Sequence, residues 1–520
     1  MKTYWKKTAA LILSASFVAA MAGCGGSEPS ADSGGSPAAT DSEKAKPALT
    51  VLHPYFSKDL NTLPSAKVIE EKTGYKVTYD MLPNDKPEDK LNLIMGSGQE
   101  YDYIKLTGSN AKNLFTNYAK QGALVDLGPL IDQYGPNIKN NIDPSAFEAM
   151  KVDGKIYGIP SLPISINEKQ WSYVSTGLVV RQDWLDKLGL AKPQTLDEFT
   201  AMLQAFKDKD PGGNGAKNIP LTLVPNATGF AGLAGAFGYP LDWSEVDGQL
   251  VPQVLTPRYK EIIAYMADLY QKGLLDVDYP TNKLNNLIEK LTGGRTGVAE
   301  LPSWSYAGST IDTLEKNVPG AKLEYLPYLT GKDGKAGVQV NHTASIVSDF
   351  TVIPKTSKHA ADAIKFLNAK MEEETFRLYT IGEENKHYTV KDGKYYPILP
   401  IFFDDRGDSS VLVTGVTKKY GDYWQARLHK DERTYNAFQT LNTEYAKFQV
   451  PNDQTFDAPL LDVVAKNTPV LNQMVTDYAI KVILKSASLD TFDDFIKDWK
   501  AKGGDAVVKQ MNEWYAGKKK

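Results

Sequence analysis

From Leu49 onward the sequence alternates short apolar runs with helix-periodic segments, and this alternation restricts the chain to sheets flanked by helices. Leu49-Thr-Val-Leu-His53 reads as a buried strand, a helical stretch runs on to Thr73, and Tyr75 to Met81 alternates apolar with polar residues at a strand period. After Pro83 the pattern predicts a helix over 86–95, a strand over 101–106 and a helix over 110–120. Strand, helix, strand, helix predicts a lobe with a largely parallel sheet. A second set starts at Gly177, where Leu178-Val-Val180 leads through Arg181 into a helix. Thr195-Leu-Asp-Glu198 spells a capping box, and Leu196, Phe199, Met202, Leu203 and Phe206 follow at helical spacing. Strands are predicted over 219–224 and 296–301. Beyond about Asp431 the chain turns almost wholly helical, with a second capping box at Thr491 to Asp494.

A chain of 520 residues exceeds the roughly 250–300 residues that one core organises, so at least two lobes are expected. The 59 basic residues nearly balance 63 acidic ones, with no basic run away from the ends, which argues against a nucleic-acid partner. The single cysteine, Cys24, excludes internal disulfides and cysteine-based metal clusters.

That cysteine ends a secretory leader. Lys2, Lys6 and Lys7 precede an apolar stretch from Thr8 to Ala20, too short to span a bilayer, and Met21-Ala22-Gly23-Cys24 resembles a bacterial lipobox. The expectation is diacylglycerol transfer to Cys24 and cleavage before it, with palmitate among the fatty chains, tethering a soluble protein to a membrane. Residues 24–48, rich in Gly, Ser, Ala and Pro, read as a flexible stalk. Removing residues 1–23 deletes three lysines and no acid, so the formal charge moves from −4 to −7.

The usual signatures of catalysis are missing. Five histidines, His53, His342, His359, His387 and His429, form no metal pair, and there is no H-E-x-x-H, Walker loop or G-x-S-x-G elbow. One segment has calcium-loop spacing: Asp210, Asn214, Ala216 (through its carbonyl) and Asn218 occupy positions 1, 5, 7 and 9. Gly212 stands at position 3, and no glutamate closes the cage. Calcium is thus the one candidate ion, and no cofactor is required.

Several segments in order resemble the extracellular solute-binding proteins of bacterial ABC importers, in the large Gram-positive lipoprotein branch related to alginate-oligosaccharide binders. They are Val152-Asp-Gly-Lys-Ile-Tyr-Gly-Ile-Pro160, Gly177-Leu-Val-Val-Arg-Gln-Asp-Trp-Leu-Asp-Lys-Leu-Gly189 with Thr195 to Phe199, Phe206-Lys-Asp-Lys-Asp-Pro211, Lys386-His-Tyr-Thr389 with Asp392-Gly-Lys394, and Gly503-Gly504. The resemblance implies an α/β, two-lobe periplasmic-binding-protein-like (class II) fold with hinge strands and an all-helical C-terminal extension of lobe two. Ligand lies between the lobes, and closure is by hinge bending. It also implies a calcium loop at Asp210 in some relatives, with acids where this chain has Gly212, Asn218 and Ile219. The expected division is lobe one over 49–165 and 329–385, and lobe two over 166–328 and 386–520.

Ligands of such folds sit at strand C-terminal ends, so the loops after strands supply the candidates. In lobe one these are Tyr55, Lys58, Asp59, Thr107, Ser109 and Asn110. In lobe two they are Asn226, Thr228, Phe230, Trp304 and Tyr306, with Trp171, Tyr173 and Trp424 as further stacking rings and Arg181 as a bidentate clamp. Lys105 and Arg295 are weaker cationic candidates. The expected function is a monomeric, non-enzymatic lipoprotein on the outer face of the cytoplasmic membrane that passes an oligosaccharide to ABC permease subunits. A surface carbohydrate-active enzyme and a non-transport sensor or co-receptor remain as alternatives.

Overall fold

A computed structural model describes residues 45–108, 111–142, 144–148, 150–161, 176–225, 231–238, 242–331, 339–340, 349–445, 449–450, 454–455, 458 and 461–519. In chain order, lobe one begins with β1 (Leu49–His53), α1 (Pro64–Thr73), β2 (Val77–Met81), α2 (Pro87–Ser97), β3 (Tyr103–Thr107), α3 (Ala111–Lys120) and β4 (Gly158–Pro160). Pro64 and Pro87 start their helices where a missing N–H costs nothing, and Gly74 and Gly98 end them at φ 69° and 74°.

Lobe two follows with β5 (Gly177–Arg181), α4 (Gln182–Leu188), α5 (Leu196–Lys209), β6 (Ile219–Thr222), β7 (Thr296–Leu301), α6 (Ala307–Asn317) and β8 (Leu323–Tyr325). The capping box of α5 forms as read: Glu198 N–H donates to the Thr195 hydroxyl at 3.1 Å, and the Glu198 carboxylate accepts from the Thr195 N–H. The chain then returns to lobe one with β9 (Asp349–Val352), α7 (Ala360–Lys370), the hairpin β10 (Tyr388–Lys391) and β11 (Lys394–Pro397), and α8 (Tyr420–Leu428). It finishes on lobe two with α9 (Glu432–Gln439), α10 (Asp462–Ile483), α11 (Phe492–Trp499) and α12 (Asp505–Lys518).

Both sheets are mixed, which corrects the expectation of largely parallel ones. Lobe one has the order β2-β1-β3-β9-β4, with β1 parallel to β2 and β3 but β9 antiparallel to β3 and β4. Lobe two has the order β8-β5-β7-β6, with β7 parallel to β6 and β5 antiparallel to β7 and β8. The cause is the route of the chain. Strands β5 and β9 each enter from the other lobe, at the edge where the C-terminal ends of the parallel strands lie, and so run back against them.

Two large cores hold the lobes. Leu49, Val51, Ile69 and Phe366 anchor one, and Phe199, Phe206, Ile262 and Met266 the other. The first core continues through Phe402, Leu412, Tyr420 and Ala426, so the expected start of lobe two at residue 386 shifts to the end of α8. Leu428, two residues on, packs with Val179, Leu301 and Phe438 of lobe two. The C-terminal helices cover lobe two through Val475, Phe492, Trp499 and Val507. The second capping box does not form. Ser488 caps the preceding turn by accepting from Asp490 N–H, and the Thr491 hydroxyl donates to the Ser488 carbonyl at 2.7 Å.

Candidate ligand-binding cleft

Strand direction decides where a cleft can lie. In lobe one His53 and Thr107 end β1 and β3, and the antiparallel register sets Asp349 beside Thr107 and Phe350 beside Pro160. In lobe two Leu301 pairs with Gly177, which brings the C-terminal end of β7 to the point where β5 begins. In each sheet the C-terminal ends of the parallel strands and the start of an antiparallel strand therefore share one edge, the place where open sheets of this kind bind ligands.

Two hollows open at the lobe-one edge, of about 260 and 320 Å³, sharing Pro54, Lys105 and Thr107 as walls. Tyr55, half exposed, lines the first, and His53, Asp349, Asp408 and Ser410 line the second. One wall of the second hollow is the segment 406–414, which several basic side chains hold in place. His53 Nε2 lies 2.9 Å from the Val411 carbonyl, Lys370 Nζ donates to the Leu412 carbonyl at 2.7 Å, and Lys105 Nζ donates to the Val413 carbonyl at 2.8 Å. Arg427 donates to the carbonyls of Arg406 and Gly407 and to the hydroxyls of Ser409 and Ser410.

Burial, reinforced by the Lys105 charge, brings His53 down to about 4 and Lys370 down to about 7. Burial raises the Asp349 carboxyl against the pull of the Lys105 ammonium 3.6 Å away. A larger hollow of about 640 Å³, lined by Glu372, Glu373, Glu374, Arg377, Glu383 and Tyr395 among others, lies on lobe one away from the strand ends.

In lobe two the end of β6 stands on a buried polar network. Thr222 donates to Asp276 at 2.7 Å, Asn282 donates to the same carboxylate oxygen at 2.8 Å, and Lys290 Nζ reaches Asp276, Asp278 and Asn282 at 2.8–2.9 Å. Burial pushes Asp276 up and Lys290 down, but the hydrogen bonds between them win, so Asp276 is lowered and Lys290 raised. After β7, the Thr176 hydroxyl donates to the Pro302 carbonyl, tying the entry of β5 to the loop that carries Trp304 and Tyr306.

The sequence candidates separate on this frame. Tyr55 and Thr107 line the same hollow, and Tyr306 is 38% exposed on the lobe-two edge. Lys58 sits at the rim with its ammonium 2.6 Å from Asp408. Asp59 caps the turn 60–62 by accepting from Asn61 N–H, so its carboxylate is committed to the backbone. Trp304 is 8% exposed and wedged edge-on between Trp424 and Phe438, at centroid distances of 5.1 and 5.4 Å, which makes it a packed ring instead of a stacking platform. Trp424 is the lobe-one partner in that contact.

Arg181 does not reach the cleft. Because β5 runs antiparallel to its neighbours, the end of this strand is the far end of the sheet, where Arg181 is buried in a two-bond pair with Asp183 and donates to the Gly294 carbonyl. Arg295 pairs with Glu289 at the surface. Ser109, Asn110, Trp171, Tyr173, Asn226, Thr228, Phe230 and Cys24 lie outside the described residues. Reading strand ends from sequence missed His53, Asp349 and the Asp276–Asn282–Lys290 network. The first two would follow only from knowing strand register, and the third joins residues up to 14 apart across a loop and a helix.

The residues at Asp210 do not fit a calcium ion. Asp210 is the only acid between 210 and 218, and Lys217 balances it. A side chain at 212 has no room, since a Cβ there would stand 2.4 Å from Asn214 Nδ2 and 2.5 Å from the Trp184 ring. The Asn214 amide N–H donates to Gly294, and Lys187 presses an ammonium onto the Pro211 carbonyl at 2.6 Å. One buried acceptor, Asn218 Oδ1, lacks a partner, but a neutral oxygen and one carboxylate fall short of the six to eight oxygens calcium takes. Among the described residues no three acidic, histidine or cysteine side chains gather as a metal site.

Comparison with known proteins agrees with this architecture. The chain is 25% identical over 529 residues to Lipoprotein LipO of Bacillus subtilis (strain 168), covering 99% of each chain. It is 29% identical over 394 residues to the fructooligosaccharide ABC transporter substrate-binding protein FusA of Streptococcus pneumoniae serotype 4 (strain ATCC BAA-334 / TIGR4), covering 71% of this chain and 69% of that one. In fold it is similar to the alginate-binding protein AlgQ2 solved without calcium ion, with a TM-score of 0.67 and 21% identity over 90% of this chain and 98% of the other. The model of the bacterial extracellular solute-binding protein family matches residues 59–370. The chain, with two lobes that each gather strand ends along one sheet edge, belongs to the bacterial extracellular solute-binding proteins.

Proposed function

We propose that this protein captures an oligosaccharide between its lobes and delivers it to the membrane subunits of an ABC importer. The observation that carries the reading is the pair of hollows at the strand ends of lobe one, where a half-exposed tyrosine stands beside a row of hydrogen-bonding groups. Such a surface pairs an aromatic face for sugar C–H groups with donors and acceptors for hydroxyls. The names of relatives that bind fructooligosaccharides and alginate support the same ligand class. Ligand that touches both lobes favours the closed state, and the importer responds to closure.

In this reading Tyr55, Lys105, Thr107 and Tyr306 contact ligand, and the protein acts as a monomer held at the outer membrane face by lipid on Cys24. The family consists of binding proteins, and no catalytic step is assigned. Isothermal titration against a panel of neutral and uronic-acid oligosaccharides tests the proposal. Saturable binding of one class supports it, and binding of peptides with no binding of any sugar overturns it. Intact glycans after prolonged incubation separate it from a carbohydrate-active enzyme.

A further inference from the structure

The loop that follows α5 keeps the outline of a cation site, yet every charge it needs comes from the chain itself. Asp210, at φ 40°, accepts from the Asn214 N–H at 2.9 Å on one carboxylate oxygen and from the Gly215 N–H at 2.7 Å on the other. Lys187, from α4, crosses to the same loop and donates to the Pro211 carbonyl. Two amide side chains complete the closure: Asn214 donates to the Gly294 carbonyl at 3.0 Å, and Asn218 donates to the Phe206 carbonyl at 2.7 Å. These bonds fasten the loop to α4, to the last turn of α5 and to the turn before β7, three elements around the buried pair Trp184 and Phe206.

We infer that the 210–218 loop is a metal-independent clasp, in which the Lys187 ammonium and the Asp210 carboxylate fix the conformation that a bound divalent cation would otherwise impose. The charge balance supports this directly. Asp210 and Lys217 cancel within the loop, and Lys187 adds a positive charge against its backbone, so an arriving dication meets no net negative field. The packing supports it independently, since Gly212 leaves no space for the side chain that a third ligand requires.

Thermal unfolding of the purified protein in EDTA and in millimolar calcium tests the inference. A ligand that binds only the folded state raises stability in proportion to the logarithm of its concentration over Kd, so a micromolar calcium site would raise Tm by several degrees. The expected result is the same Tm in both media, with Lys187→Met and Asp210→Ala each lowering Tm equally with and without calcium. A saturable rise of wild-type Tm with calcium that Asp210→Asn abolishes would overturn the inference, as would a Lys187→Met variant with unchanged Tm. Should either variant fail to fold, terbium titration of the wild-type protein provides the second measurement: no saturable luminescence supports the clasp, whereas saturable luminescence that Asp210→Asn removes contradicts it.

Discussion

Lys105 Nζ and the carbonyl of Val413 stand 2.8 Å apart, joining the middle of a central strand to a segment 308 residues later in the chain. The same ammonium borders both hollows at the lobe-one edge, so it sets the shape and the charge of that wall together. Lys105→Met should weaken oligosaccharide binding about tenfold, the equivalent of one lost charge-assisted hydrogen bond. Titration calorimetry on wild type and variant checks this. An unchanged Kd would remove Lys105 from the site.

The buried bases predict a stability profile with a definite sign. His53 titrates near 4 in the fold and near 6.5 when unfolded, so between those values the unfolded chain binds more protons. The contribution of His53 is full above about pH 6.5 and is lost as pH drops toward 4, by up to about 3 kcal/mol. Lys370 acts in the same direction at higher pH, with stability rising from about 7 toward the ordinary lysine value. Urea melts at stepped pH should show both slopes, and Lys370→Met should abolish the alkaline one and, by removing one of the charges that hold His53 down, lessen the acid one.

Asp276 and Lys290 are each other's main counter-charge beneath the end of β6. Asp276→Asn leaves a buried ammonium underneutralised and should cost about 3–5 kcal/mol, whereas Lys290→Met with Asp276→Leu should cost less than the sum of the single changes. A double-mutant cycle from chemical denaturation measures that coupling. Additive effects would show that the network does not act as a unit.

Trp304 offers a decision between packing and stacking. Its contact with Trp424 and Phe438 predicts that Trp304→Ala lowers stability by about 3–5 kcal/mol, and that Trp304→Phe leaves Kd within about twofold of wild type. Denaturant midpoints and ligand titration read the two effects separately. A stable Trp304→Phe protein with ligand binding lost would place the ring in the site after all.

Cys24 predicts the protein's whereabouts. On the proposed lipid attachment at Cys24, Cys24→Ser should shift it from the membrane fraction to the medium, since the lipid is then the tether. Fractionation followed by immunoblotting checks this.

Local patterns proved readable where the chemistry is local. The helix capped by Thr195 and Glu198, the proline-started helices and the two sets of strands follow from residues a few positions apart. What could not be read depends on distant pairing. Arg181 looked like a cleft residue because it ends a strand, and only the antiparallel register of that strand carries it to the opposite edge. Trp304 follows a strand that does point at the cleft, but its burial comes from α8 and α9, more than a hundred residues later. The row of bases behind the lobe-one edge was illegible for the same reason, since β1, β3 and α7 supply the donors and the segment 406–414 supplies the acceptors.

The C-terminal helices give the order of assembly a direction. Val475, Phe492, Trp499 and Val507 close a core that Leu178, Phe199 and Val298 began, so lobe two cannot seal until nearly the last turn of the chain is available. In a chain made from its N-terminus, this keeps one half unsealed until synthesis is almost complete. The half that carries the first strands must likewise wait for the return of residues 349–426. Neither core is complete until residues from the last third of the chain have joined it.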